Sequence, residues 1–386
     1  MSRIVFFCIP AYGHTNPTLP VVKELTEMGH EVYYYSFREF RERIERAGAY
    51  FIGCDDYDLG LDEADSDRVG RDIVFSTELI VRATLAMDEK ITEEIKNLAP
   101  DVIVSDSVAY WGKLIAMKQN IPFVSSTTTF AFNKASSKIM KISLGQLFKM
   151  IIDMPKTAKL LTPLREKGYP ADNILNIVRN DNDTRTIVYT SKEFQPCSET
   201  FSELYAFVGP LIRESSEEIK KTREKLVYIS LGTVNNKMTG FYQCCIDAFR
   251  ESNYEVIMSV GKGTDLNLLG DIPPHINIYK SVDQIAVLKK ADVFISHCGM
   301  NSINESLYFG VPLVLFPQTN EQNGVARRTM EIGAGLMLRS TKNILETVDT
   351  VMHTPSYREK AQCISKSFHK CSGVKGAVQA ILNAMQ

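Results

Sequence analysis

The sequence predicts an α/β protein built from two doubly wound parallel sheets in series. Three observations predict it. Short β-branched and aromatic runs alternate with amphipathic stretches, the pattern of parallel strands covered by crossover helices. That pattern breaks near Gly209-Pro210, crosses a charged stretch and starts again. A chain of 386 residues also suits two domains of roughly 150–200 residues better than one.

The first run, within MSRIVFFCIP, has strand length and no small-residue cleavage site after it, so it reads as the first strand and not as a leader. Further strands are expected at 31–37, 50–54, 101–105 and 123–127, with 186–190 and 206–208 extending the same sheet. The segment RESSEEIKKTREK, 213–225, reads as a solvated linker with some helical character. A second series follows at 226–231, 255–260, 276–279, 293–296 and 313–316, and the chain ends in helical patterns near 355–368 and 374–385. One segment departs from the rhythm. Between Phe130 and Ile177 lies an apolar, methionine-rich insert, which reads equally as an adaptable pocket lining or as helices covering the sheet.

Composition limits the function. Hydrophobic residues make up 44% and charged residues 23% of the chain, as in folded soluble proteins. The net charge is −2 with Lys and Arg scattered, which argues against nucleic acid and against a polybasic membrane patch as partners. Eight cysteines show no CxxC pair, so neither zinc nor a disulfide framework is expected, and a reducing cytoplasm is the natural compartment. No apolar stretch approaches the ~20 residues needed to span a bilayer.

Chemistry is expected where doubly wound sheets bind ligands, at the carboxyl ends of strands 1 and 4. In the first domain these ends run into Pro10-Ala11-Tyr12-Gly13-His14 and Ser105-Asp106. Neighbouring strands lie about 4.8 Å apart, which brings His14 and Asp106 toward hydrogen-bonding range. A histidine oriented by a buried carboxylate can deprotonate a hydroxyl. Spacing also admits a plain reading in which both residues cap the helices that follow. His30 reads only as a helix-end residue.

The second domain repeats the geometry, with Gly232-Thr233 after its first strand and His297-Cys298-Gly299 after its fourth. A helix starting near Asn301-Ser302 offers backbone N–H groups and a positive dipole end to a diphosphate. Glu305 fits two roles. Ser302-Ile303-Asn304-Glu305 has the spacing of a capping box, and an acidic residue in that turn also suits ribose hydroxyls. Other nucleotide motifs are weak. Gly261-Lys262-Gly263-Thr264 lacks the spacing of a P-loop, and no GxGxxG follows either first strand. Asp65-Ser66-Asp67 and Asp181-Asn182-Asp183 read as turns and not as a metal site.

The stretch VDQIAVLKKADVFISHCGMNSINESLYFGVPLVLFPQTNEQNGVARRTMEIGAG, from Val282 to Gly335, resembles the nucleotide-sugar signature of the UDP-glycosyltransferases, and is most similar to the bacterial macrolide glycosyltransferase (MGT) group. YISLGT and PAYGHTNPTLPVVKEL match the same family in the right order. The resemblance implies a GT-B fold, two Rossmann-like domains facing a central cleft: an acceptor-binding domain 1–212, a linker 213–225, a nucleotide-sugar-binding domain 226–370, and a last helix 371–386 packed back on the first domain. It implies metal-independent inverting transfer of a hexose, glucose in the first instance, from a UDP-sugar to a hydroxyl of a small apolar acceptor such as a macrolide or polyphenol. No cofactor or metal is implied.

The resemblance makes His14 the general base and Asp106 its orienting partner. Thr233, His297, Asn301 and Ser302 would hold the diphosphate and Glu305 the ribose, with Gly299 also in the nucleotide-sugar site. Ser281, Val282 and Gln284 would meet the uracil, and Glu321 and Gln322 the sugar hydroxyls. Three positions depart from the family pattern. Asp283 stands for a proline, Cys298 for the first glycine of His-Gly-Gly, and Glu321 for an aspartate. Two competing readings remain at this stage, a nucleotide-sugar-binding auxiliary protein without turnover and a nucleotide-sugar epimerase.

Overall fold

The computed structural model describes residues 1–57, 68–69, 72–133, 136, 144–180, 182–232 and 238–386, with backbone only for 144–151. The chain divides into two compact units, Met1–Leu211 with Ser372–Gln386, and Ile212–Cys371.

Seven strands form the sheet of the first unit: β1 Arg3–Phe7, β2 Glu31–Ser36, β3 Tyr50–Gly53, β4 Val102–Asp106, β5 Phe123–Thr127, β6 Thr186–Val188 and β7 Tyr205–Phe207. All pairings are parallel, in the order β3-β2-β1-β4-β5-β6-β7. Buried on both faces, β1 reads as a continuous apolar run, and alternate side chains enter different cores. Ile4 and Phe6 join one cluster, Val5 and Phe7 the other. Aromatic pairs between β1 and β2 follow the same alternation, Phe6 on Tyr34 and Phe7 on Tyr35.

Helix boundaries follow local chemistry. Pro17 and Pro20 lie in the first turns of the segments leading into helix Leu19–Glu27, where a missing N–H costs nothing. Helix Ile73–Leu98 starts on the Asp72 carboxylate, which accepts from the Val74 and Phe75 amides, and stops at a left-handed Ala99 before Pro100. The last helix, Gly373–Leu382, buries Ala377, Val378, Ala380 and Ile381 in the same core as Val21, Val22 and Leu25 of the first unit.

The second unit has six parallel strands: β8 Leu226–Ser230, β9 Glu255–Ser259, β10 Ile276–Tyr279, β11 Val293–Ser296, β12 Leu313–Leu315 and β13 Gly335–Met337, in the order β10-β9-β8-β11-β12-β13. β13 was not expected from sequence: three residues opening on glycine carry no strand signal of their own.

The stretch 213–225 has no helix, most of its residues are exposed as expected of a solvated segment, and it belongs to the second unit, which holds it near both ends. Arg213 pairs with Asp283, Lys221 with Asp292, and the Thr222 and Arg223 amides donate to Glu255 Oε2. The charges that suggested solvation are the fasteners. In the insert, the described part contains helix Leu144–Leu160 and two short helices, Thr162–Glu166 and Ile174–Val178, and Leu161, Leu164, Ile174 and Ile177 are buried in the first unit's core. That part packs on helices Ile73–Leu98 and Tyr110–Gln119, which cover the sheet, while the apolar residues at 139, 140 and 142 lie outside the described residues.

Candidate active site

In the first unit, β1 leads through Pro10 into the short helix Tyr12–Thr15, and β4 ends on Asp106 itself. Because β1 and β4 are neighbours, with Phe7 opposite Ser105, the two segments emerge side by side. His14 Nδ1 lies 2.6 Å from Asp106 Oδ2. The other carboxylate oxygen accepts from the Val108 amide at 2.8 Å, and the Asp106 side chain is 1% exposed against 18% for His14. A buried carboxylate with one oxygen fixed by backbone and the other on an imidazole sets the ring's orientation and tautomer.

A third group completes this arrangement. Thr128, just past the end of β5, places Oγ1 3.1 Å from His14 Nδ1 and is buried. With a carboxylate and a hydroxyl oxygen both facing it, Nδ1 carries the proton, and Nε2 bears the basic lone pair. The capping alternative does not hold. The turn Asn16–Thr18 has Thr15 at its N-cap, helix Leu19–Glu27 has Thr18 and helix Tyr110–Gln119 has Ala109, and none is closed by a His14 or Asp106 side chain. Nearby, burial, with the Asp106 charge adding to it, pushes the Tyr110 phenol up to about 12, so that group stays protonated.

The second unit builds a different site. After β8 the backbone turns at Gly232, with φ of +80°, and after β11 it passes through His297, Cys298 and Gly299 into helix Met300–Tyr308. The His297 ring is wedged between two glycines. A Cβ on Gly232 would lie 2.6 Å from its Cε1 and Nε2, and one on Gly299 2.6 Å from Nε2. Burial lowers the His297 pKa to about 4, so the ring is neutral at pH 7. It acts there as a neutral donor or acceptor. Gly299 is the N-cap, and the Ile303 amide makes a helical bond to its carbonyl, so the preceding amides, including those of Asn301 and Ser302, face the helix's N-terminal end.

Glu305 is not part of a capping box. The helix begins three residues earlier than that reading requires, which puts Ser302 inside its first turn. Instead Gln284 Nε2 donates to Glu305 Oε2 at 2.6 Å and lies 3.4 Å from Ser302 Oγ. The Gln284 carbonyl oxygen receives the Tyr228 hydroxyl at 3.1 Å. Burial pushes the Glu305 carboxyl above the usual range, opposed by the Gln284 hydrogen bond and the Arg213 charge. The true capping box lies further on. Thr319 Oγ1 accepts from the Gln322 amide at 3.3 Å, and Gln322 Oε1 accepts from the Thr319 amide at 3.2 Å. With its backbone N–H and its Oε1 engaged, Gln322 offers a sugar hydroxyl its side-chain Nε2. Glu321 sits exposed in the first turn of the same helix, Ser281 is exposed, and Val282 is half-buried. Thr233 lies outside the described residues, as do Asp65-Ser66-Asp67 and Asp181. Asn182 and Asp183 belong to an exposed turn, where Asn182 bonds Thr200 and Ser202.

The chain is similar along nearly its whole length to known proteins. Residues 243–370 match the family described as Erythromycin biosynthesis protein CIII-like, C-terminal domain. The NDP-glycosyltransferase YjiC of Bacillus subtilis (strain 168) is 34% identical over 97% of this chain and 95% of its own length. The chain belongs to the UDP-glycosyltransferase family, in its macrolide glycosyltransferase group. Two solved structures share the fold. The glycosyltransferase of kitacinnamycin superposes with a TM-score of 0.86 at 22% identity, covering 100% of this chain and 99% of that one. CalG4, the calicheamicin glycosyltransferase, superposes with a TM-score of 0.82 at 26% identity, covering 100% and 98%. The fold is therefore GT-B, and the protein is a glycosyltransferase.

Two departures from the UDP-glycosyltransferase pattern have local solutions. Asp283 has φ of −71°, the angle a proline would impose, and holds it by capping helix Gln284–Leu288 through the Ile285 and Ala286 amides. Cys298 adopts a left-handed φ of +68°, and its side chain is buried, with Sγ 3.4 Å from the Ser296 carbonyl. The thiol is thus buried against its own strand end. Sequence reasoning missed Thr128, Tyr228 and Arg213. For Thr128 a signal existed, since β5 neighbours β4 and its end lies in the run Ser125–Thr129.

Proposed function

We propose that this glycosyltransferase moves a hexose, glucose in the first instance, from a UDP-sugar to a hydroxyl of a small, largely apolar acceptor of the macrolide or polyphenol kind, with inversion at the anomeric carbon and without a metal. The observation that carries the reading is the 2.6 Å contact between His14 Nδ1 and Asp106 Oδ2. Binding alone needs no imidazole braced in this way, and general-base catalysis does.

In this scheme His14 Nε2 takes the proton of the acceptor hydroxyl as that oxygen attacks the anomeric carbon from the face opposite the diphosphate. The C–O bond to the diphosphate breaks in the same step, and the electron pair leaves with UDP. Asp106 stabilises the imidazolium that forms. Charge developing on the diphosphate is met by the N-terminal amides of helix Met300–Tyr308 and by neutral His297. Glu305, fixed by Gln284, suits a ribose diol, which favours a ribonucleotide donor over a deoxyribonucleotide one.

A donor panel of UDP- and dTDP-sugars with a mixed phenolic and macrolide acceptor pool, read by mass shift, tests the assignment. The anomeric proton coupling of the isolated product then reads the stereochemistry. A β-linked hexose from an α-configured UDP-hexose is the expected product. An α-linked product, or turnover with dTDP-sugars alone, would refute the corresponding part of the reading.

A further inference from the structure

We propose that Arg213 is a positioning residue for the donor's ribose: through Asp283 and Gln284 it fixes the Glu305 carboxylate, so the charged stretch 213–225 is part of the donor site and not a spacer. The inference rests on the donor-site reading above and deepens it.

The connection is a continuous set of contacts. Arg213 pairs with Asp283 through both guanidinium nitrogens, Nη1 to Oδ2 at 3.0 Å and Nη2 to Oδ1 at 2.6 Å. The same carboxylate caps helix Gln284–Leu288, accepting from the Ile285 amide at 3.0 Å and the Ala286 amide at 3.3 Å. The backbone from which Gln284 projects is therefore set by a carboxylate held on two sides. From there Gln284 Nε2 reaches Glu305 Oε2 at 2.6 Å, while its carbonyl oxygen is held by Tyr228 at 3.1 Å. Tyr228 is itself immobilised, buried in β8 with its ring stacked on Phe294 at 4.6 Å. Glu305 thus receives its orientation from Gln284, and Gln284 from two anchors, one in the sheet and one in the stretch 213–225.

That stretch is fixed well enough to serve as an anchor. Lys289 Nζ bonds the Ser215 carbonyl at 3.2 Å, Lys221 pairs with Asp292 at 2.6 Å, and Arg223 Nη1 donates to the Ser252 carbonyl at 2.8 Å. As an isolated surface pair, Arg213–Asp283 would contribute little, because the arginine side chain is 56% exposed. Its effect is geometric: a bidentate guanidinium restricts the carboxylate to the plane in which it also caps the helix. A vicinal diol asks for an acceptor placed to within a few tenths of an ångström, so a loosened Gln284 reduces exactly the part of affinity that depends on ribose hydroxyls.

Calorimetric titration of the full chain with UDP and with 2′-deoxy-UDP tests this. Wild type is expected to prefer UDP by about tenfold, the worth of one well-placed hydrogen bond to a charged group. Arg213→Met and Tyr228→Phe are each expected to weaken UDP by about three- to tenfold while leaving 2′-deoxy-UDP nearly unchanged, so that the preference narrows. Equal loss for both nucleotides in Arg213→Met, or no loss for either, would overturn the inference. The wild-type titration separates the two levels. If wild type fails to bind UDP, the donor-site reading falls and takes this inference with it. If it binds UDP and Arg213→Met keeps the wild-type preference, only the role of Arg213 falls.

Discussion

Thr128 and His297 show how single side chains set the chemistry of larger neighbours. Thr128 Oγ1 and Asp106 Oδ2 both face His14 Nδ1, and the hydroxyl adds a second acceptor for a proton the carboxylate already holds. Its contribution strengthens when the ring becomes imidazolium. Thr128→Val should therefore lower kcat by about three- to tenfold and move the acid limb of kcat/KM to lower pH, with Thr128→Ser restoring both and UDP affinity unchanged throughout. A pH–rate profile of the three proteins checks this. His297 depends on space. Gly232 combines φ of +80° with a Cβ position 2.6 Å from the His297 ring. Gly232→Ala should strain the turn by about 1–2 kcal/mol and displace the ring, weakening UDP by about tenfold in a calorimetric titration.

Elements, more than single residues, carry the donor loop. Helix Gln284–Leu288 has only five residues and owes its position to the Asp283 cap. Burial would raise that carboxyl, but Arg213 and the Ala286 amide outweigh it and hold the pKa at about 2. The folded value lies below the unfolded value near 4, so the stabilisation is complete above about pH 4 and is lost as pH falls toward 2. With its arginine partner half exposed, it amounts to about 1 kcal/mol. Thermal unfolding of Asp283→Asn against wild type should show a gap at pH 6 that narrows below pH 4. A gap independent of pH would contradict the cap's charge state. The same loop shows where sequence reasoning reaches its limit. Ser302 and Glu305 have capping-box spacing, yet Gly299 is the cap and Gln284, from a different helix, holds the glutamate. A local pattern cannot say whether a serine is the cap or the third residue of the turn. The box at Thr319–Gln322 is equally legible by spacing, yet the resemblance gives its Gln322, with Glu321, to sugar hydroxyls.

At the scale of the whole molecule, sheet order was the most legible feature. Both sheets run 3-2-1-4, which follows from right-handed crossovers between alternating strands and helices, and that order by itself brings His14 beside Asp106. What stayed hidden joins residues far apart in sequence: Thr128 with His14, Tyr228 with Gln284, Arg213 with Asp283. No periodicity carries those pairings. The C-terminal helix is another long-range join, since Ile381 is fully buried among residues of β1, β2 and helix Leu19–Glu27. Ile381→Ala should destabilise the first unit by about 2–4 kcal/mol, read as faster hydrogen exchange in β1 and β2 with β8 to β11 unchanged.

The central claim is that an imidazole braced by Asp106 removes the acceptor's proton. Single-turnover transfer by His14→Ala, measured beside its UDP affinity, tests it most directly. The account requires transfer to fall by about a thousandfold or more with UDP binding within twofold of wild type. Transfer at the wild-type rate in that variant would contradict it.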